Sequence, residues 1–319
     1  MVAKKLELAV ILPAFNEEQT IAKTIANLKS AVPRAEIVVV DNASNDKTHE
    51  IALRAKVIVL SEPRRGKGFA VQRGFDFALS KGAEVIAIID ADNTYEVEKF
   101  PHAVNLIRNS GFDMVTGVRV PASREVNRDS QEQPHFRFGH KAGNKLFISL
   151  SNFLLPTGIR DVLSGWRVMS KRFVASFPGD AKGFEIEAQL NSHAYSVNAA
   201  LTNLDVPYFA RPSGSVSKLN TYRDGLRILR TTMRNFRNDR PVFAFSLLAL
   251  PWAIATVYFL YLPLASYFED GLVPYLPRFV AAVGTFLISA LLWISGVLLE
   301  RMRQIRVTTT LRIFHENTL

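Results

Sequence analysis

Two acidic residues, Asp90 and Asp92, form a D-x-D pair at the end of the continuous apolar run 85–89. The run is rich in β-branched residues and too short for a helix, which predicts a buried strand. Side chains two residues apart on an extended chain point to the same side, so both carboxylates can bind one divalent cation. A strand followed by a solvated acidic turn would give the same short sequence, and the rest of the chain must decide between the two.

The segments before this run alternate between strand and helix patterns. Residues 6–12, 36–41 and 56–60 have the composition of short buried strands. Between the first two, apolar residues recur at helical spacing from Ile21 to Leu28. The alternation predicts an α/β fold with right-handed β-α-β units, a mostly parallel sheet and helices on both faces. Ligands usually bind at the carboxyl ends of the strands in such a sheet.

Polar residues also follow the other predicted strands. A turn containing Pro13, Asn16 and Glu17 comes after the first strand, and Asp41 ends the second. These side chains are therefore expected at the same edge of the sheet as the D-x-D pair. The basic, glycine-containing segment 64–68 opens the next helix. Its backbone N–H groups and positive charges suit a phosphate, although a solvated basic turn explains the segment nearly as well.

Taken in order, P-A-F-N-E at 13–17, D-N-A-S at 41–44, G-K-G at 66–68 and D-A-D at 90–92 resemble the signature of family-2 inverting glycosyltransferases. The resemblance implies a single nucleotide-sugar-binding α/β domain. It also implies that the D-x-D pair holds the Mg²⁺ or Mn²⁺ that bridges the donor diphosphate. The nucleotide-sugar site is expected to include Pro13, Ala14, Asn16, Glu17, Asp41, Asn42, Lys67, Asp90, Ala91, Arg211 and Lys218.

Two positions depart from the family pattern. The family often has a second Asp where Asn42 stands, which leaves the base preference open. Members that act on polyprenyl phosphates often have Gln where Thr94 stands, which leaves the third protein ligand of the metal open.

The segment 161–167, D-V-L-S-G-W-R, is similar to the D-x-x-S-G-(aromatic)-R signature of enzymes that load sugars onto polyprenyl phosphates. A phosphate monoester needs hydroxyl and fork-shaped donors, which Ser164 and Arg167 offer, and Asp161 could orient Arg167. A bend at the glycine with a buried tryptophan ring is the purely structural alternative. We expect Asp92, Asp161 and Arg167 to be catalytic. The acceptor phosphate is expected to contact Arg119, Arg137, Ser164, Arg167 and Ser217.

Four other segments bear on the cleft. The polar and charged composition of residues 120–133 predicts either a mobile loop over the cleft or a plain surface loop. Residues 136–154 carry a helical apolar stripe, for which core packing ranks slightly ahead of an interfacial helix. Glu185 is expected to cap a helix or, like Asp161, to accept a proton. The segment 211–218 resembles the family's R-x-x-G-x-S-K loop near the donor diphosphate. Its candidates for neutralising the leaving group are Arg211, Ser217 and Lys218.

The C-terminal third has a different composition. Arginines alternate with apolar residues from 222 to 240, which predicts a basic amphipathic helix at an anionic membrane surface, with RNA binding as the rival. The apolar runs 242–267 and 279–299 are each long enough to cross a bilayer core of about 30 Å. A buried helical hairpin in a soluble domain is the alternative interpretation of these runs.

Arginines flank both ends of this hairpin, whereas residues 269–277 between the runs contain none. The positive-inside rule then places the catalytic domain and both termini in the cytoplasm, at a multi-pass position in the inner (cytoplasmic) membrane. The predicted organisation is a glycosyltransferase domain at 1–220, an interfacial helix at 221–240, two transmembrane helices at 241–299 and a tail at 300–319.

The composition of the chain limits which binding partners and which chemistry are expected. The 319 residues carry a formal charge of +10, which favours an anionic partner, and the position of the arginines favours lipid over nucleic acid. The absence of cysteine excludes disulfides and thiolate chemistry. A symmetric homo-oligomer is permitted but not required.

The predicted function is transfer of one sugar from a UDP- or GDP-linked donor to a polyprenyl phosphate, with inversion and with a divalent metal. Glucose, mannose and a uronic acid such as galacturonate remain open as the sugar. A processive polysaccharide synthase is a rival, but the Q-x-x-R-W motif and the further spans usual in that class are absent from the sequence. A non-catalytic membrane scaffold that retains the fold is the other rival.

Overall fold

The computed structural model describes residues 6–122, 158–211 and 221–317, with side chains from residue 230 onward in the last range. The described strands form one sheet of seven strands in the order β3-β2-β1-β4-β6-β5-β7. They are β1 (Leu8–Ala14), β2 (Glu36–Asp41), β3 (Ile58–Ser61), β4 (Val85–Ile88), β5 (Met114–Pro121), β6 (Arg167–Ser170) and β7 (Leu201–Tyr208). Only β6 runs antiparallel to its neighbours, β4 and β5. The predicted α/β fold with a mostly parallel sheet is confirmed.

The described helices cover both faces of the sheet and continue into the C-terminal part. They are α1 (Ile21–Ala31), α2 (Thr48–Arg54), α3 (Lys67–Ser80), α4 (Phe100–Asn109), α5 (Lys171–Ser176), α6 (Ile186–Ser196), α7 (Thr221–Asp239), α8 (Pro241–Asp270) and α9 (Leu276–Glu316).

Alternate residues of the central strands belong to two separate hydrophobic cores. In β1, Val10 packs in the core that contains Ile25 of α1, whereas Ile11 packs in the core that contains Val71 of α3. Both faces of the strand are therefore buried, which explains its unbroken apolar run, as is usual for parallel strands between helical layers. The strand ends are the only places where such a strand can present polar side chains to a ligand.

The antiparallel strand β6 was not foreseen from the sequence pattern. It pairs with β4 in the register Ile88 to Arg167, so the residues just before Arg167 lie beside the end of β4. The D-x-x-S-G segment is therefore brought next to the D-x-D pair by strand pairing.

The C-terminal helices α8 and α9 contain 18-residue windows of mean hydropathy 1.9 and 2.2, and 11% of each window is buried. Both are long and apolar enough to cross a membrane. A core helix of a soluble protein would be mostly buried, so the low burial favours lipid over the buried-hairpin alternative. Helix α9 continues to Glu316, so most of the predicted tail is helical. In α7, Arg230, Arg234 and Arg237 are exposed and Phe236 is buried, as the predicted amphipathic helix requires. Met233 is exposed as well, and Thr231, Thr232 and Asn235 are buried, so the buried face of the described part of α7 is mixed rather than apolar.

The chain divides into two compact units, Met1–Thr232 with Thr310–Leu319 and Met233–Thr309. In the second unit, the Thr256 hydroxyl donates to Thr285 Oγ1 at 3.0 Å and the Ser289 hydroxyl donates to the Ala249 carbonyl at 3.2 Å. These bonds join α8 to α9 where few other polar groups are present.

The end of α9 belongs to the first unit because Phe314 enters the core on one face of the sheet. Its side chain is 4% exposed and packs in the same core as Val71. The Arg172 guanidinium stacks 4.7 Å from the Phe314 ring and pairs at 2.5 Å with Asp113. The last turns of α9 therefore complete a core of the first unit.

Replacing Phe314 by alanine is expected to destabilise the first unit by about 3 kcal/mol, because it empties a buried aromatic site. Thermal unfolding of the purified protein measures this loss. The adjacent Ile313 is 39% exposed, so Ile313→Ala is the matched control and is expected to change the melting temperature little. Equal melting temperatures for the two variants would contradict the packing of Phe314.

Candidate active site

The carboxyl ends of β1, β2 and β4 open onto a cavity of about 320 Å³, within the usual size of small-molecule sites. Eight of the eleven residues expected around a nucleotide-sugar line it, and Asp92 does so as well. Those eight are Pro13, Ala14, Glu17, Asn42, Lys67, Asp90, Ala91 and Arg211.

Sequence reasoning missed two aromatic residues in the lining, Phe15 and Phe184. The Arg65 guanidinium lies 5.3 Å from the centre of the Phe15 ring, and Lys67 Nζ lies 5.7 Å from that of Phe184. The position of Phe15 inside the first turn motif was the only signal for it, and Phe184 had no local signal.

Asn16 and Asp41 are not among the lining residues, and they connect the loops after β1 and β2. The Asn16 backbone N–H donates to Ser44 Oγ at 3.0 Å, and the Asn45 N–H donates to Asn16 Oδ1 at 2.8 Å. Asp41 Oδ1 accepts from the Ser44 N–H at 3.3 Å, and its other oxygen lies 3.4 Å from His49 Nδ1. Both residues hold the rim of the site in place in this structure.

Asn42 shows why an amide stands where the family often has a second Asp. Its Nδ2 donates to the carbonyls of Glu62 at 3.2 Å and Arg64 at 2.7 Å, and its Oδ1 accepts from the Gly66 N–H at 2.7 Å. A carboxylate cannot donate to two carbonyls. Asn42 therefore fixes the loop that carries Gly66, where a Cβ would lie 1.9 Å from the Lys182 carbonyl oxygen.

Each carboxylate of the D-x-D pair is bound by a basic side chain. Asp90 Oδ1 accepts from Lys67 Nζ at 2.5 Å, and Asp92 Oδ2 pairs with Arg211 Nη2 at 2.7 Å. The Thr94 hydroxyl donates to Asp92 Oδ1 at 2.6 Å. Burial raises the pKa of Asp92, and the nearby Asp90 carboxylate acts in the same direction.

Lys67 also pairs with Glu187 of α6, whose Oε1 lies 2.6 Å from Nζ. Burial by itself lowers the pKa of Lys67, but the carboxylates of Asp90 and Glu187 outweigh it and hold the pKa above its ordinary value. Burial raises the pKa of Glu187, and the charge of Lys67 opposes that shift. The two carboxylates therefore favour the charged form of Lys67, which lines the cavity.

Gly165 brings the D-x-x-S-G segment into contact with the D-x-D pair. A Cβ at this position would lie 2.2 Å from Asp90 Oδ2, and the Gly165 N–H donates to the Tyr95 hydroxyl at 3.0 Å. Trp166 is wholly buried, with its ring 4.5 Å from that of Phe100. The close approach to a carboxylate is possible only because residue 165 lacks a side chain.

Residues 9–176 match the sequence profile of glycosyl transferase family 2, which covers more than half of the chain. The chain belongs to glycosyltransferase family 2. The family assignment made from the motifs is confirmed. The structure of glucosyl-3-phosphoglycerate synthase from Mycobacterium tuberculosis with Mn²⁺ and UDP-glucose superposes with a TM-score of 0.55 at 21% identity, over 73% of this chain and 78% of that one. That likeness shows a shared fold.

Relatives of this glycosyltransferase include enzymes named for polyprenyl phosphates. The dolichyl-phosphate hexose transferase of Haloferax volcanii is 28% identical over 236 residues, which cover 73% of this chain and 96% of that protein. The polyprenol monophosphomannose synthase of Mycolicibacterium smegmatis is 26% identical over 225 residues, covering 66% and 80%. The undecaprenyl-phosphate mannosyltransferase of Micrococcus luteus is 26% identical over 219 residues, covering 66% and 86%.

The D-x-D pair of this glycosyltransferase fits a divalent metal that takes its remaining ligands from a substrate. Mg²⁺ and Mn²⁺ prefer carboxylate oxygens, and Mg²⁺ in particular is commonly held by one or two carboxylates together with substrate phosphates. Asp90 and Asp92 both line the cavity and supply this donor set. The described ranges contain no group of three or more acidic, histidine or cysteine side chains that could cage a metal alone. Thr94 orients Asp92 through its hydroxyl.

The acceptor motif is arranged differently from the expectation. Asp161 was expected to orient Arg167, but it pairs with Arg119 through two bonds, Nε to Oδ2 at 2.7 Å and Nη2 to Oδ1 at 2.8 Å. The Arg119 guanidinium also lies 5.7 Å from the centre of the Tyr208 ring. Of the two arginines, Arg119 is the one that remains partly exposed, at 28% of its side chain.

Arg167 and Ser164 are wholly buried. Arg167 donates to the carbonyls of Ser164 at 3.2 Å and Val162 at 3.0 Å and to Asn191 Oδ1 at 2.6 Å. Ser164 Oγ accepts from the Trp166 N–H at 3.2 Å. Burial lowers the pKa of Arg167 to about 10. These bonds hold the motif together, and the expected phosphate contacts of Ser164 and Arg167 stay a prediction.

Replacing Arg167 by methionine is expected to destabilise the protein by about 3 kcal/mol, because several buried acceptors lose their donor. Thermal unfolding measures this effect, with Arg160→Met as the control, since Arg160 is 60% exposed on the surface. An unchanged melting temperature with a raised KM for the lipid acceptor would instead show that Arg167 binds phosphate.

Backbone hydrogen bonds between the segment that follows Asp92 and the end of β7 bring Arg211 into the site. The Phe209 N–H donates to the Thr94 carbonyl at 2.7 Å, and the Glu96 N–H donates to the Pro207 carbonyl at 3.0 Å. The chain therefore leaves β7 beside Asp92.

Glu185 makes a structural contact at the start of α6. Its side chain is buried, at 7% exposure, and accepts a hydrogen bond from the Lys182 N–H at 3.1 Å.

Several expected residues lie outside the described ranges. They are Arg137, Ser217 and Lys218, most of the predicted loop 120–133 and the predicted helix 136–154.

Proposed function

We propose that this chain transfers one sugar from a UDP- or GDP-linked donor to a polyprenyl phosphate, with inversion at the anomeric carbon. The observation that carries the proposal is the meeting of Lys67, Arg211 and the D-x-D pair in one cavity of a family-2 glycosyltransferase. The relatives named for dolichyl, polyprenyl and undecaprenyl phosphates support the choice of acceptor.

The chemistry requires little proton transfer. The acceptor is a phosphate monoester whose second pKa is near ~6, so the attacking oxygen is already ionised at neutral pH. That oxygen forms a bond to the anomeric carbon while the bond from this carbon to the diphosphate breaks, and the nucleoside diphosphate leaves. The site must therefore position two anions and neutralise the charge that builds up on the leaving group.

The residues of the cavity suit this task. Lys67 and Arg211 are cations in the lining and can bind the diphosphate. Asp90 and Asp92 would hold Mg²⁺ or Mn²⁺, which supplies further neutralisation of the diphosphate when bound. Arg119, fixed by Asp161 and partly exposed, is our candidate for the acceptor phosphate.

We further propose that α8 and α9 anchor the enzyme in the inner membrane, with the catalytic domain and both chain ends in the cytoplasm. The two apolar helices and the exposed arginines of α7 support this arrangement. A polyprenyl phosphate is held in the same membrane by its hydrocarbon chain, so the anchor keeps enzyme and acceptor together. The functional parts would be the glycosyltransferase domain at 1–220, the interfacial helix at 221–240, the two transmembrane helices at 241–299 and the tail at 300–319.

The test is a transfer assay with the purified full-length protein, undecaprenyl phosphate, Mn²⁺ or Mg²⁺ and a panel of radiolabelled UDP- and GDP-sugars. We expect lipid-extractable label from one donor, at one sugar per lipid, and none when undecaprenyl phosphate is omitted. Several sugars per lipid would indicate a processive synthase. No label from any donor, with folded protein, would favour a non-catalytic scaffold and overturn the proposal.

A further inference from the structure

Lys67 lies between two carboxylates that come from different elements. Its Nζ is 2.5 Å from Asp90 Oδ1 and 2.6 Å from Glu187 Oε1. Asp90 follows β4 and lines the cavity, whereas Glu187 lies in the first turn of α6 with 4% of its side chain exposed. Lys67 itself is 11% exposed. A buried ammonium with two anionic partners can give up one of them and still be paired.

Glu187 has a second carboxylate oxygen that could accept a hydrogen bond from Lys67. Its Oε2 is buried and accepts no hydrogen bond from any residue within the described ranges. A buried carboxylate oxygen without a donor is unfavourable and calls for an explanation. An ammonium carries three donors, so Lys67 can donate to both oxygens of Glu187 once it leaves Asp90. In that second state of the site, Glu187 Oε2 accepts a hydrogen bond from Lys67 beside the one that Oε1 already accepts.

We propose that Glu187 is a positioning residue that retains Lys67 when Asp90 binds the divalent metal. Asp90 is then released to the metal, while Lys67 stays in the cavity as a cation for the donor diphosphate. Without the charge of Glu187, Lys67 is drawn to Asp90 and competes with the metal. The inference rests on the proposed function, because the metal and the diphosphate belong to it.

The experiment is a titration of the purified full-length protein with Mn²⁺ alone, in which electron paramagnetic resonance measures free Mn²⁺. Glu187→Gln keeps the shape of the side chain and removes its charge, and it is expected to weaken Mn²⁺ binding about tenfold. Glu50→Gln, which removes a charge from a side chain 54% exposed on α2, is the control and is expected to leave the affinity unchanged.

A double-mutant cycle separates an effect through Lys67 from a direct effect on the metal. In a Lys67→Met background, Glu187→Gln is expected to cause no further loss of Mn²⁺ affinity. A loss of the same size in that background would overturn the proposal, since Glu187 would then act on the metal directly. Unchanged affinity in the single Glu187→Gln variant, or no Mn²⁺ binding by the wild type, would overturn it as well.

A crystal structure of the wild-type protein with Mn²⁺ tests the same point without any variant. We expect Lys67 Nζ bonded to Glu187 and separated from Asp90, and a retained bond to Asp90 beside bound Mn²⁺ would overturn the proposal. None of these measurements uses a donor or an acceptor. Sugar transfer by the wild type together with unchanged Mn²⁺ affinity in Glu187→Gln would keep the proposed function and remove only this inference.

Discussion

Replacing Asp92 by asparagine is expected to lower sugar transfer to polyprenyl phosphate by about 10³-fold. The carboxylate is 5% exposed, lines the cavity and binds Arg211. Asparagine can still accept the Thr94 bond through Oδ1, so the local structure is expected to survive. Its neutral amide cannot pair with Arg211 or serve as a charged metal ligand. The measurement is the initial rate of lipid-extractable label with the donor that the panel identifies.

Asp205→Asn is the matched control for this substitution. Asp205 lies on β7 and is 54% exposed, where it pairs with Arg160. We expect its rate to equal that of the wild type. Asp92→Asn protein that melts normally and transfers sugar at more than a tenth of the wild-type rate would show that Asp92 is not part of the chemistry.

The second large effect is expected from Gly165→Ala, a change of one methyl group. The new Cβ would lie 2.2 Å from Asp90 Oδ2 and 2.5 Å from Asp90 Cγ, so the carboxylate must move. A misplacement of about 1 Å in a reacting site can cost 10²-fold, and we expect a rate loss of about that size. Mn²⁺ affinity is expected to fall as well, because Asp90 is one of the two proposed ligands.

Gly284→Ala is the control, since a Cβ there meets nothing within 4 Å. Overpacking at residue 165 also costs stability, about 1–3 kcal/mol, so rates must be normalised to folded protein. A normal rate per folded molecule in Gly165→Ala would mean that the D-x-x-S-G glycine is needed only for folding.

The parts of the site that follow buried strands were predictable from sequence. Asp90 and Asp92 end an apolar run that is buried on both faces, and such a run leaves its polar residues at the strand end. The same argument placed Pro13 and Glu17 at the carboxyl end of the first strand, and both line the cavity, although β1 continues through Pro13 to Ala14 rather than ending at residue 12. Local sequence is enough here because the strand fixes where its last residues lie.

The partners of those residues were less predictable, because long-range packing decides them. The D-x-x-S-G segment suggested that Asp161 holds Arg167, yet Asp161 bonds Arg119, 42 residues away along the chain. Strand β6 runs antiparallel between β4 and β5, and this register buries Arg167 at its first residue. Glu187 accepts a hydrogen bond from Lys67, which lies 120 residues earlier in the sequence, and no local sequence pattern predicts such a pair.

The burial of Phe314 has a consequence for the order in which the protein is made. The core around Val71 and Phe314 needs a residue from the last turn of α9, and α8 and the apolar part of α9 are synthesised before it. The unit that contains the sheet therefore finishes folding only after α8 and the apolar part of α9 have been made. A shortened chain that stops before residue 241, the usual way to make a membrane enzyme soluble, would leave the site of Phe314 empty on an otherwise complete sheet.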